Sequence, residues 1–268
     1  MPAAAESPGP LPMQAAFERL RGEIEHSAFG RPMVLASSDS EGHLQGDVHA
    51  VIAHPLALIA RSLKGVDAWC DVLMLHLNVK RCEAQPATGA LSLAIGRKYD
   101  QPPAEAQWLH FEMHTGAAAA DYFQVRFDAA SGPWDTRNYR LLFEAIPLDG
   151  HSSFVHLSYA FDYGVTARLA MGVYLATMAR DKVGFTRVDA GADAKPIYIG
   201  DFRGVIERNA IRYYFAIDAF LDAAGLPPEQ RVERRLRAWF DATESYPRQL
   251  HELGREDYLT MKRRELTQ

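Results

Sequence analysis

Five stretches decide the fold: ALSLAI at residues 90–95, WLHFEM at 108–113, FQVRF at 123–127, YRLLFE at 139–144 and VHLSYAF at 155–161. Apolar and polar residues alternate in each. Leu91, Leu93 and Ile95 form one such row, Leu109, Phe111 and Met113 a second, Phe123, Val125 and Phe127 a third. Tyr139, Leu141 and Phe143 continue the pattern, as do Val155, Leu157, Tyr159 and Phe161. A period of two sends successive side chains to opposite faces, so these are strands with one buried face. A one-faced antiparallel sheet needs a cover. The stretch that follows, Val165 to Arg180, carries Ala167, Leu169, Ala170, Met171, Gly172, Val173, Leu175 and Ala176 among few charges. It predicts a helix buried nearly all round. The expected class is α+β, an antiparallel sheet wrapped around a long helix, with further helices at the C-terminus.

Upstream, residues 1–12 are dominated by Pro, Ala and Gly and predict disorder. An amphipathic helix follows from Met13 to Glu25, with Phe17, Leu20 and Ile24 on one stripe. Pro32–Ala36 and His43–Ala53 read as a hairpin around the turn-rich SSDSEG. A short helix spans Leu56–Leu63, Gly65 breaks it, a helical turn lies near Trp69 and a strand lies around Val79. Downstream, GADAKP at 191–196 marks a loop. Beyond it Ile206, Ala210, Tyr213, Tyr214, Ile217, Phe220 and Leu221 form an apolar helical stripe, stopped by Gly225 and Pro227-Pro228. A second helix carries Val232, Leu236, Trp239 and Phe240. The expected organisation is a disordered start (1–12), a sheet-and-helix module (13–190) and a helical extension packed on it (191–268).

At 268 residues and 48% hydrophobic content the chain can build a real core. A net charge of −5 gives no basic footprint, which excludes nucleic acid and anionic membrane surfaces as main partners and leaves open a transient membrane contact. No apolar run approaches the roughly 20 residues of a membrane-spanning helix. The opening MPAAAESPGPLP lacks the charged and apolar regions of a signal peptide. As written the chain is expected in the cytoplasm, or in the periplasm if a signal peptide has been removed. Oligomeric state is not legible. Cys70 and Cys82 stand twelve apart. A bridge would close a short loop, worth about 3 kcal/mol, and imply an oxidising compartment; two reduced, buried thiols are the favoured reading.

No nucleophile elbow, phosphate loop or H-E-x-x-H spacing occurs, so no cofactor or metal is expected. His110, Glu112 and His114 share a strand face about 7 Å apart, but it is the polar face, which makes them an exposed ladder. Lys80 and Arg97, with Lys98 and Asp100, lie at the ends of adjacent strands. They could meet a ligand at a cavity mouth or simply guard a sheet edge. Glu207, Arg208, Asn209 and Arg212 read as a structural polar network beside a buried stripe, with a ligand-anchoring role as the alternative. Phe111, Phe127, Tyr139, Phe143, Tyr159 and Phe161, with Met171 and Tyr174 from the helix, line either a cavity or a plain core. Buried tyrosines need partners for their hydroxyls.

The order helix, strand pair, two short helices, antiparallel strands and long apolar helix resembles the START-like (SRPBCC) superfamily. So does GDVHAVIAHPLALIARSLKGVDAWCDV at 46–72, in which a strand ends at a Pro, a helix begins and a Trp precedes the next strand. The resemblance covers about residues 30–185. It implies a helix-grip fold with a deep apolar cavity between sheet and helix, which relatives use to hold lipids, sterols, polyketides or hormones. The expected function is therefore binding of a hydrophobic small molecule as carrier or sensor. Some relatives are enzymes, and the alternative is a cyclase, aromatase or hydrolase using the same cavity, with His156, Asp162 or Glu144 as acid or base. By strand parity His156 and Glu144 face away from the apolar side. A third reading is a protein-interaction module. The Cys/His iron–sulfur motif of oxygenase subunits is absent.

Overall fold

The alternation found in the sequence becomes one eight-stranded antiparallel sheet in the computed structural model, which describes residues 9–116, 120–169, 172, 182–188 and 196–267. Helix α1 (Pro10–Glu25) leads into the hairpin β1 (Met33–Ser40) and β2 (His43–Ile52), then α2 (Leu56–Leu63) and α3 (Val66–Leu73). Strands β3 (Val79–Gln85), β4 (Ala90–Ile95), β5 (Gln107–Thr115), β6 (Phe123–Ser131), β7 (Thr136–Pro147) and β8 (Ser153–Tyr163) follow. The spatial order is β1-β2-β8-β7-β6-β5-β4-β3. The register places Leu91 opposite Phe111, Phe127 opposite Leu141 and Phe143 opposite Leu157, so the apolar rows fall on one inner face.

The helix seated on that face is α4 (Asp201–Asp222), packed against β1, β2 and β8. The sequence pattern points instead to Val165–Arg180 as the cover. Residues 165–169 are helical, but Val165 and Leu169 are 73% and 68% exposed, and most of the remainder, Met171 and Tyr174 included, lies outside the described residues. The charges of α4 disguise its burial. Glu207, Arg208 and Arg212 are all at most 1% exposed, yet each is hydrogen-bonded, which removes most of the penalty that charge would otherwise impose. The close approach depends on Gly46 in β2, where a Cβ would stand 3.2 Å from Ala210 Cβ and 3.3 Å from the Ile206 carbonyl oxygen.

Trp69 on α3 is fully buried, edge-on to Phe127 and Phe143, and donates its indole N–H to the Leu63 carbonyl at 2.8 Å. One residue on, Cys70 is joined to Cys82 of β3 by a disulfide with the Cα atoms 5.5 Å apart. The favoured reading of two reduced thiols is thereby corrected: α3 crosses the end of β3, an arrangement that spacing alone does not reveal. Helices α5 (Pro228–Glu244), α6 (Pro247–Leu250) and α7 (Arg255–Leu266) complete the chain. Trp239 of α5 donates to the Arg212 carbonyl at 3.0 Å, and Tyr258 of α7 to the Leu75 carbonyl at 3.0 Å. The outer sheet face is not left to solvent either. Helix α1 covers part of it, burying Met13, Ala16 and Ile24 against Tyr122, Ile146 and Phe154.

Gly46→Val should lower stability by about 1–3 kcal/mol through overpacking against α4, measured by urea denaturation. Replacing Cys70 and Cys82 together by serine should cost about 3 kcal/mol, and wild type in reductant should match the double variant.

Candidate ligand cavity

Helix α4 covers only part of the inner face, and the part it leaves opens into a cavity of about 160 Å³. Its sheet wall comes from Leu93 and Ile95 of β4, Leu109 and Phe111 of β5, and Phe127 of β6. Leu141 and Tyr139 of β7 and Tyr159 and Phe161 of β8 continue it. Val205, Asn209 and Tyr213 of α4 face it from above; their spacing of four residues is one helical stripe. Leu73, His76 and Asn78, at and beyond the end of α3, close one end. At the other, Pro133 and Trp134 form a tight turn between β6 and β7, with Trp134 65% exposed. Trp134 and Asp135 both hold left-handed backbone (φ 55° and 63°), unusual outside glycine, and a Cβ at Gly164 would collide with the Asp135 carboxylate.

The described lining residues include no Lys, Arg, Asp or Glu. Their polarity comes from neutral groups. Tyr139 donates to the Thr136 hydroxyl at 2.8 Å, which donates to the Pro133 carbonyl at 2.5 Å. Tyr159 and Tyr213 meet edge to face with ring centroids 5.1 Å apart, and burial pushes both phenols above their ordinary value. His76 is 1% exposed and stacks on Tyr213 with centroids 4.8 Å apart. Burial holds its pKa well below the usual histidine value, assisted by the charges of Arg212, Lys98, Lys262 and Lys80.

Of the residues expected to line a cavity, Phe111, Phe127, Tyr139, Tyr159 and Phe161 do so. Phe143 is displaced into the core beneath Trp69. Lys80 and Arg97 stand elsewhere. Lys80 is 1% exposed, bonded to Glu265 of α7 at 3.0 Å and to the Tyr99 carbonyl at 3.1 Å, while Arg97 is exposed and paired with Glu105 at 3.5 Å. Lys80 thus ties the C-terminal helix to the sheet, a role visible only once α7 is placed. Sequence reasoning missed His76, Asn78, Thr136 and Trp134 as lining. None of them lies on a periodic apolar row, so no pattern could single them out.

The groups considered for acid–base chemistry lie outside the cavity. His156 sits on the outer face between Asp47 and Glu144, 3.0 Å from each, and Tyr122 donates to Glu144 at 2.5 Å. Burial alone would lower the His156 pKa, but hydrogen bonds and charge from the two carboxylates outweigh it and raise it to about 9. Burial and the neighbouring His156 lower that of the stacked His49 to about 3. Asp162 bonds His43 and Asn138 near the surface. His110 and His114 are exposed, with partners Ser92 and Asp128. Among the described residues, the His/Cys/Asp/Glu group close enough to share a cation is His54, Asp218 and Asp222, where Arg31 already bonds Asp218 at 3.3 Å.

A strand pair, two short helices, further antiparallel strands and a long helix across one sheet face, with a cavity between, define the architecture. The fold is a helix grip, an antiparallel sheet closed on one face by a long helix. No protein-family model matches the sequence, and no curated protein matches it. Solved structures similar to this chain include a START superfamily protein from Mycobacterium smegmatis (12% identity, 52% of this chain and 93% of that one, TM-score 0.33). Human StAR-related lipid transfer protein 5 is similar at 9% identity over 63% and 90% of the two chains, TM-score 0.34. The Zhui aromatase/cyclase from a Streptomyces species is similar at 14% identity over 81% and 95%, TM-score 0.30. Among the described residues, no helix is long and apolar enough to cross a membrane.

The raised pKa of His156 stabilises the fold fully below its unfolded value of 6.5, and that contribution is lost as pH rises through about 9. The stability gap between wild type and His156→Leu, from urea denaturation across this range, should therefore be widest below pH 6.5 and narrow above pH 9.

Proposed function

We propose that this chain binds one small, uncharged, mostly apolar molecule in the cavity beneath α4 and carries or senses it without transforming it. The observation that supports this best is the lining itself: aromatic and aliphatic walls with a few neutral polar groups and no charged side chain among the described residues. Burial supplies the affinity, at about 25 cal/mol for each Å² of apolar surface removed from water. The absence of a lining carboxylate or ammonium makes an ionised ligand costly, since a buried charge needs a paired or hydrogen-bonded partner.

Size narrows the reading. An apolar cavity of about 150 Å³ holds a benzene-sized molecule, so about 160 Å³ accommodates a single ring or a short branched chain. A sterol or a long acyl chain exceeds that space and would extend beyond the cavity. The disulfide further supports residence in an oxidising compartment such as the periplasm or the cell exterior.

Natively purified protein, extracted with organic solvent and analysed by mass spectrometry beside a Leu141→Trp variant with its cavity filled, tests the reading. A compound of low polarity at near-stoichiometric yield from wild type, absent from the folded variant, is expected. Equal recovery from both would place any ligand elsewhere.

A further inference from the structure

Helix α4 uses its central polar side chains in two different ways. Arg203 and Glu207 bond Ser37 of β1, Arg208 bonds the Val183 carbonyl and Arg212 bonds Glu252, so each is tied to a distant part of the chain. Asn209, which sits among them in sequence, is not. It stands with Val205 and Tyr213 on the stripe that faces the cavity, is half-buried, and makes no hydrogen bond among the described residues. Its carboxamide is also not among the side-chain groups sealed in protein without a partner, so its oxygen and its nitrogen are both open to a small molecule.

The position makes this residue informative. Asparagine is a weak helix former, because its side chain competes with the backbone for hydrogen bonds. In a lining that includes Phe111, Tyr139 and Leu141, a leucine at 209 would favour the helix and extend the apolar wall. The carboxamide draws no compensating bond from α4 or from the sheet. The partner it lacks is one that an occupant of the cavity can supply.

A carboxamide carries an acceptor oxygen and a donor N–H₂ on the same carbon. Its complement is a group that sets a donor beside an acceptor in the same way, as the cis amide of a lactam and a primary carboxamide both do. Two such groups pair through two parallel hydrogen bonds, so one ligand group reaches both Asn209 atoms by its covalent geometry alone. From this we infer that the cavity selects a small, neutral, single-ring ligand bearing a lactam or primary amide, whose N–H donates to Asn209 Oδ1 and whose carbonyl accepts from Asn209 Nδ2. The inference rests on the cavity being a ligand site, as proposed above, and adds the group that orients the ligand there. A hydrocarbon of the same size leaves the carboxamide unpaired. A carboxylate has no donor for Oδ1 and brings a charge into a lining that has none among the described residues. Discrimination by polar groups that lose their partners with the wrong ligand is the stronger form of specificity available to an apolar site.

5-Fluoro-2-pyridone carries a cis lactam on a benzene-sized ring, 5-fluoro-1-methyl-2-pyridone lacks its N–H, and fluorobenzene lacks both polar groups. Their binding to the full chain can be followed by fluorine NMR titration. Wild type should bind the pyridone at least about tenfold more tightly than its N-methyl counterpart, since two hydrogen bonds contribute about fivefold each. In Asn209→Leu that preference should vanish, with the pyridone weakened by about the same factor and fluorobenzene bound at least as well. Should the variant fail to fold, nitrogen–proton correlation spectra of wild type read the same contact: an Asn209 side-chain N–H signal moves downfield with the pyridone, as an N–H that gains an acceptor does, and not with fluorobenzene. Equal affinity of wild type and Asn209→Leu for the pyridone, or no downfield movement of that signal, with fluorobenzene still bound, would overturn the amide assignment and leave the cavity reading standing. Failure of all three rings to bind would overturn both.

Discussion

The Glu207 carboxylate holds the inner half of the molecule together. It is completely buried on α4 and accepts from four donors on two separate parts of the chain: the Ser37 hydroxyl of β1, the backbone N–H groups of Phe185 and Thr186, and the Thr186 hydroxyl, all within 2.9 Å. Hydrogen bonds to an ionised acceptor are worth about 1.5–3 kcal/mol each, enough to offset the cost of dehydrating the carboxylate. Three elements are thereby locked in register. The arrangement tolerates little else, since a Cβ at Gly184 would collide with this carboxylate and stand 3.0 Å from Gly204 Cα. With the N-terminal half of α4 fixed in this way, its Val205–Asn209–Tyr213 stripe is held over the open part of the sheet, and the cavity exists because the helix cannot settle further.

The two sheet faces divide the polar and apolar work. On the outer face, charge is concentrated and compensated: His156 bridges Asp47 and Glu144, with α1 shielding the region nearby. On the inner face, the described residues keep charge out of the cavity and place it around it. Arg212 and Lys98 meet Glu252, and Lys80 and Lys262 meet Glu265, so the ions brace the C-terminal helices against α4 and β3. The imidazole at the cavity among the described residues, His76, has its pKa held down first by burial and then by the cations that lie behind it.

Much of this was legible in the residue pattern. Period-two alternation identified strands β4 to β8 and the face each side chain takes, and the Pro55, Gly65 and Trp69 signals located α2 and α3, because these features follow from local geometry. Five of the aromatic residues expected to line a cavity do line it, for the same reason. The seating of α4 on the sheet was not legible because hydrophobicity is read one residue at a time, whereas the burial of Glu207, Arg208 and Arg212 depends on partners far away in sequence. The same limit hid the disulfide, the seat of Lys80 against Glu265 and the role of His76. Each requires knowing which distant segment arrives at that point, and no periodicity encodes it.

A central claim remains open to direct test: that beneath α4 lies a fixed apolar space rather than a closed core. Crystals of the protein pressurised with xenon, which enters dry apolar cavities, would measure it. The account predicts a single ordered xenon site among Phe111, Tyr139, Tyr159 and Tyr213, the walls that surround the cavity. Diffraction showing no xenon there, with Tyr213 packed directly onto Phe111 and Tyr139, would contradict it.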